Sequence, residues 1–178
     1  MTVIVPDSLP IELVESSEHT LQLALRDPTG LATALMASLP GDWPPDHYEA
    51  QVVTRALSML RQRETGSPFV LHFVIAGPDR ELPRIVAGMA GFSGPPDRNG
   101  IVEIGYGVSA SLAGRGVASR AVGSLVDMAR SSGRVRGLAA RTFRTMQESV
   151  TVLERNGFVE TGSGPGPDVV RYACRIED

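Results

Sequence analysis

Three groups of residues in this chain have types and spacings that bear on chemistry. The first is the stretch SLAGRGVASRAVGSLVDMAR, where Gly114 and Gly116 flank Arg115 directly before an apolar repeat with helical spacing. The first amides of a helix have no partner within it, and the helix dipole adds positive potential there. Glycines at that point let a ligand reach the backbone without meeting a Cβ. Such a loop suits an anion, phosphate above all. The second group is Val102-Glu103-Ile104-Gly105-Tyr106-Gly107-Val108. Read as a strand, it puts Val102, Ile104, Tyr106 and Val108 on one face and leaves Glu103, Gly105 and Gly107 on the other. Glycines weaken an ordinary strand, so a carboxylate on a face stripped of side chains suits a place that something else approaches closely. The third is Thr145-Met146-Gln147-Glu148-Ser149, where Thr145 and Glu148 have the spacing of a capping box and Ser149 offers a hydroxyl in the first turn of a helix.

Several chemistries are excluded at once. The glycine loop lacks the Gly-x-x-x-x-Gly-Lys-Ser/Thr pattern of a nucleoside triphosphate loop, and it lacks the third glycine and downstream acid of a dinucleotide fingerprint. His19, His47 and His72 have no metal-ligand spacing, so no metal is expected. Cys174 is alone, which rules out an internal disulfide and reads as a packed thiol in a closing strand. Trp43 stands in the turn Gly41-Asp42-Trp43-Pro44-Pro45, where it either lines a pocket, packs on the core or meets another subunit.

The elements that must position these residues follow from periodicity. A strand at Ile11 to Val14 precedes a helical region from His19 to Leu39, broken near Asp27-Pro28. Asp46 can cap a helix running to Arg63, with Val52, Val53, Ala56, Leu57 and Leu60 on one face. Three β-rich runs, Phe69 to Ala76, Ile85 to Phe92 and Gly100 to Val108, are joined by short turns and imply an antiparallel meander. A helix from Gly116 to Ser131, a strand at Gly137 to Phe143, a helix at Met146 to Asn156 and strands at Phe158 to Thr161 and Val169 to Ile176 complete the order. Gly157 reads as a left-handed helix stop and Phe158 as core.

With 178 residues, no internal repeat and no linker, the chain reads as one α/β domain spanning residues 1–178. All 17 basic residues are arginine, yet the net charge is -3, so no field draws nucleic acid or an anionic membrane. No stretch approaches the roughly 20 apolar residues of a membrane helix, and MTVIVPDSLP lacks the features of a signal peptide, so a cytoplasmic protein is expected.

The run VEIGYGVSASLAGRGVASRAVGSLVDMA, followed by ESVTVLERNGFVETG, resembles the GNAT superfamily of acyl-CoA-dependent N-acyltransferases, particularly its ribosomal-protein-acetyltransferase-like branch. The resemblance implies the GNAT fold, a mostly antiparallel twisted sheet of six to seven strands with helices on both faces. It implies acetyl-CoA as co-substrate, its pyrophosphate on a loop with the pattern Gln/Arg-x-x-Gly-x-Gly/Ala. Ala113-Gly114-Arg115-Gly116-Val117-Ala118 matches that pattern except at Ala113. Gly114, Arg115, Gly116, Val117, Ala118 and Ser119 are then the cofactor-binding residues, with Arg115 or Arg120 adding charge and the backbone near Val108 bonding pantetheine. By the same resemblance Glu103 is the general base, often through water, Ser149 assists the leaving sulfur, and Trp43 belongs to a loop around the acceptor. Relatives often carry asparagine where this chain has Met146. The implied reaction is direct attack on the thioester by a primary amine of a small molecule or a protein N-terminus, in a chain able to form a homodimer. The alternative is a CoA-binding regulatory module without transfer, suggested by Ala113 and Met146 and opposed by Glu103.

Overall fold

The structure, a computed structural model, describes residues 9–46, 48, 50–64, 66–78 and 82–176. His47, read above for metal spacing, lies outside the described residues. After strand β1 (Ile11–Glu15), the Ser17 hydroxyl oxygen accepts the Thr20 amide at 3.1 Å while the Thr20 hydroxyl accepts the Ser17 amide at 2.9 Å. This reciprocal cap starts α1 (Glu18–Arg26). Asp27 ends that helix and begins α2 (Pro28–Leu35), its carboxylate accepting the Gly30 amide at 2.9 Å with Pro28 in the first turn. The break expected at Asp27-Pro28 therefore makes two helices, so three rather than two precede the second strand. Helix α3 (Ala50–Gln62) begins later than a cap at Asp46 would give.

The remaining elements run β2 (Leu71–Ala76), β3 (Ile85–Phe92), β4 (Ile101–Val108), a 3-10 turn at Ala110–Leu112, α4 (Val117–Ser131), β5 (Gly137–Phe143), α5 (Gln147–Arg155), β6 (Val159–Ser163) and β7 (Val169–Arg175). They form one seven-stranded sheet in the order β1-β2-β3-β4-β5-β7-β6. Every pairing is antiparallel except β4 with β5, which the α4 crossover makes parallel. Helices cover both faces, as expected for the GNAT fold.

Each face of the sheet has its own core. Leu125 and Ala129 of α4, Leu153 of α5 and Phe158 pack with Val102, Ile104 and Leu138 on one side. On the other, Leu21, Leu31 and Val53 from α1 to α3 meet Phe73, Ile75 and Met89. Each fully buried apolar side chain contributes about 1.5 to 3 kcal/mol over leaving it in water. Phe158 is 2% exposed and Gly157 stops α5 at φ 80°, as read from the sequence. Among the described residues no helix is long and apolar enough to cross a membrane.

Candidate active site

Strands β4 and β5 pair only at Ile101↔Gly137, Val102↔Leu138 and Glu103↔Ala139. Beyond that point β4 stays bonded to β3 from Ile104 to Val108, and β5 stays bonded to β7 as far as Phe143. Held from their outer sides, the two strands part. A cavity of about 350 Å³ opens between them, bounded by β4, β5, the start of α5 and one side of α3.

The glycine loop leads from β4 into α4. The Ser111 amide and hydroxyl both donate to Asp42, at 2.9 and 2.8 Å, and this anchors the turn that follows β4. Gly114 and Gly116 lie at φ 74° and 73°, a backbone region costly for residues with a Cβ, and a Cβ built on either would meet nothing within 4 Å. No side chain caps α4, and its first backbone bond runs from the Arg120 amide to the Gly116 carbonyl. The amides of Val117, Ala118 and Ser119 therefore have no helical acceptor. Arg120 has a buried Nε without a partner, burial lowers its pKa, and one terminal nitrogen lies 3.5 Å from the Arg115 carbonyl. Arg115 itself is exposed, and Asn156 ties the end of α5 to Ser119 by bonds of 3.0 and 3.2 Å.

At the other end of the cleft Glu103 is half-buried. Both Nε and a terminal nitrogen of Arg141 reach its Oε1 at 2.8 Å, and Oε2 has no protein partner among the described residues. The face without side chains next to it receives a residue of the same chain. A Cβ at Gly107 would stand 2.6 Å from the Tyr48 ring, and one at Gly105 would stand 3.0 Å from its hydroxyl. Tyr48 is buried, which pushes its phenol pKa far above the usual value.

Tyr106, on the strand face it shares with Val102, Ile104 and Val108, lies along the cleft, where its hydroxyl donates to the Ser149 carbonyl at 3.0 Å and lies 2.9 Å from the Ser149 hydroxyl. Burial pushes its phenol up to about 12. Only the alternation that turns Tyr106 toward the α4 and α5 side hinted at this. The capping box expected of Thr145 and Glu148 does not form. Met146 is the cap residue without a side-chain bond, and Gln147 instead donates to the Arg144 carbonyl at 2.7 Å. The chain entering α5 is pinned elsewhere: the Arg144 amide donates to the Asp168 carbonyl at 2.7 Å, and its guanidinium pairs with Glu160 at 2.9 Å.

Trp43 packs on the core, its ring centroid 6.4 Å from that of Phe73, and it does not line the cleft. Cys174 is a half-buried thiol against the Asn156 carbonyl, and burial raises its pKa. Among the described residues no group of three or more His, Cys, Asp or Glu side chains is gathered to hold a metal ion. The structure thus brings Glu103, Tyr106 and Ser149 to one cleft, with Val108 and the Gly114 to Ser119 loop continuing from its β4 wall.

Comparison with known proteins identifies the family. Residues 17–159 match the family model described as an acetyltransferase (GNAT) domain. The chain is 31% identical over 120 residues to the uncharacterized N-acetyltransferase YjdG of Bacillus subtilis (strain 168), covering 67% of this chain and 68% of that one. The solved structure of RimL, a ribosomal L7/L12 alpha-N-protein acetyltransferase in complex with coenzyme A, superposes with a TM-score of 0.64 at 22% identity, over 97% of each chain. The microcin C7 self-immunity acetyltransferase MccE, in complex with acetyl-CoA and AMP, superposes with a TM-score of 0.62 at 16% identity, over 93% of this chain and 92% of its own. An uncapped glycine loop beside a parted pair of parallel strands and a matching family model lead to one assignment: the chain belongs to the GNAT family of N-acetyltransferases.

Proposed function

We propose that the protein transfers an acetyl group from acetyl-CoA to a primary amine by direct attack in the cleft between β4 and β5. The observation that carries this reading is the parting of β4 from β5 after Glu103, with unpartnered α4 amides beyond one end and a carboxylate at the other. The residues present fit the co-substrate. The amides of Val117, Ala118 and Ser119, the open space over Gly114 and Gly116 and the orphan Arg120 Nε suit a diphosphate. The edge of β4 from Ile104 to Val108 that faces the cleft suits the amides of a pantetheine arm.

When bound, acetyl-CoA supplies a thioester carbonyl as the electrophile. An alkylamine has a pKa of about 10.4 and is mostly charged at neutral pH, so a proton must leave before it attacks. Glu103 Oε2 is the acceptor for that proton, directly or through water, while Arg141 holds Oε1. Tyr106 and Ser149 present a pair of hydroxyls to the side where the sulfur departs. With its phenol at about 12 against roughly 8.5 for an ordinary thiol, Tyr106 keeps its own proton, and by turning its one O–H from the Ser149 carbonyl to the departing sulfur it steadies that sulfur by a hydrogen bond.

The test is release of free thiol from acetyl-CoA across a panel of small amines and N-terminal peptides, with Glu103→Gln beside the wild type. The expected result is amine-dependent release that falls at least ~100-fold in Glu103→Gln while CoA affinity holds. CoA binding without turnover on any amine would leave only a binding module, and no binding at all would remove the co-substrate.

A further inference from the structure

The half of the sheet beyond the cleft has one bare face. On β5 and β7, Leu138, Ala140, Val170 and Tyr172 are buried toward α4 and α5, whereas Arg141, Phe143, Arg171 and Arg175 on the opposite face are exposed. Three of the four large apolar side chains that stand exposed among the described residues share that face: Ile101, Phe143 and Val159. Arg141 and Arg171 are direct cross-strand partners, and Arg175 follows along β7. Like charges directly opposite weaken a sheet, so this arrangement is unfavourable unless something anionic lies over it. Glu103 offsets Arg141 alone, while Arg171 and Arg175 have no ion-pair partner among the described residues. The chain as a whole carries -3, so this basic face runs against the overall balance.

We propose that the bare face docks the acceptor, an acidic polypeptide whose amino terminus enters the cleft at Glu103. The inference rests on the acetyltransferase reading and narrows its acceptor. Charge complementarity selects the occupant, and the exposed apolar side chains suit the peptide's own side chains. A second copy of the chain is disfavoured, because a two-fold contact through this face would set arginines against arginines. From Glu103 across β5 to β7 is two strand spacings, about 10 Å, which an extended peptide covers in about three residues. Acidic residues at about the third to sixth positions from the amine would then lie over Arg171 and Arg175.

The experiment uses the full chain and three peptides of equal length that differ only beyond the second residue, being glutamate-rich, glutamine-rich or lysine-rich. Rates of thiol release are compared for the wild type, Arg171→Glu/Arg175→Glu and the milder Arg171→Gln/Arg175→Gln, with alanyl-alanine as an amine too short to reach β7. Affinity for an N-terminally blocked glutamate-rich peptide is measured separately by fluorescence anisotropy at low and high salt. The proposal expects kcat/KM for the acidic peptide to exceed the neutral one by about tenfold or more at low salt, with the excess fading as salt screens the charges. The charge-reversed variant should lose that excess through KM, with kcat and the rate on alanyl-alanine unchanged. Rates indifferent to peptide charge would overturn the proposal, as would self-association of the protein that the variants abolish, or polyanionic RNA that binds while the blocked peptide does not. Because the blocked peptide needs no turnover, its binding decides the docking surface even if no amine is acetylated, an outcome that would instead sink the acetyltransferase reading.

Discussion

Gly116→Ala separates two properties of the glycine loop. A Cβ at this position meets nothing within 4 Å, so in the free protein the substitution causes no clash. Its cost there is the left-handed backbone at φ 73°, about 1 to 2 kcal/mol for a residue with a Cβ. For a domain of this size that lowers the melting temperature by about 2 to 8 °C. In the complex the added methyl occupies the space through which a phosphate would approach the amides of Val117, Ala118 and Ser119. Losing one charge-assisted hydrogen bond there, about 1.5 to 3 kcal/mol, weakens CoA by about 10- to 100-fold. Gly116→Asn is the control, because asparagine tolerates the left-handed region yet its side chain still fills that space. Calorimetric titration with CoA beside thermal unfolding should therefore find Gly116→Ala weak in both respects and Gly116→Asn near wild type in melting but weak in binding. A Gly116→Ala protein that melts early and binds CoA with undiminished affinity would place the phosphates elsewhere.

Three further predictions follow from individual contacts. Tyr106→Phe removes the hydroxyl beside Ser149 and should lower kcat by about 10- to 100-fold with little change in CoA affinity; an unchanged kcat would remove Tyr106 from the chemistry. Gly107→Ala drives a Cβ to 2.6 Å from the Tyr48 ring and should cost about 1 to 3 kcal/mol in urea unfolding, so a loss too small to measure would mean the ring yields freely. His72 is 3% exposed with an unpartnered Nδ1, and its burial holds the folded pKa below 6.5. Below that pH the unfolded chain takes up the proton first, so stability falls by up to about 1.4 kcal/mol per pH unit until the folded value is reached. Urea midpoints at about pH 7.5 and about pH 5.5 should diverge in the wild type by more than in His72→Leu, and equal divergence would exclude His72 as the cause.

Much of this fold is local in origin and was legible. Strand boundaries at β3 and β5, the α4 stripe, Gly157 as a helix stop and Phe158 as core follow from periodicity and from backbone conformations that few residues adopt. The glycine loop was legible for the same reason, since Gly114 and Gly116 announce left-handed backbone directly before a helix. What the sequence did not reveal depends on register between distant segments. Arg141 meets Glu103 because β4 and β5 run parallel with Glu103 beside Ala139, a pairing set by the length of the α4 crossover. Tyr48 covers Gly105 and Gly107 from the other side of the sheet, so the bare strand face was readable while its occupant was not. The capping box at Thr145 failed because tertiary bonds from Arg144 to Asp168 and Glu160 fix the entry to α5. Trp43 shows the limit of composition: a tryptophan in a proline-rich turn leaves pocket, core and subunit contact open, and only the tertiary contact with Phe73 selects the core.

Direct transfer of acetyl from CoA to an amine in the cleft at Glu103 leaves no acetyl on the protein at any stage. Intact-mass spectrometry of protein and acceptor together, after a single turnover of acetyl-CoA, tests it most directly. Direct transfer puts acetyl on the acceptor amine alone, equal in amount to the free thiol released, with the protein unmodified. Acetyl retained on Ser149 or Cys174 as an intermediate, or acetyl-CoA left intact beside every amine offered, would contradict it.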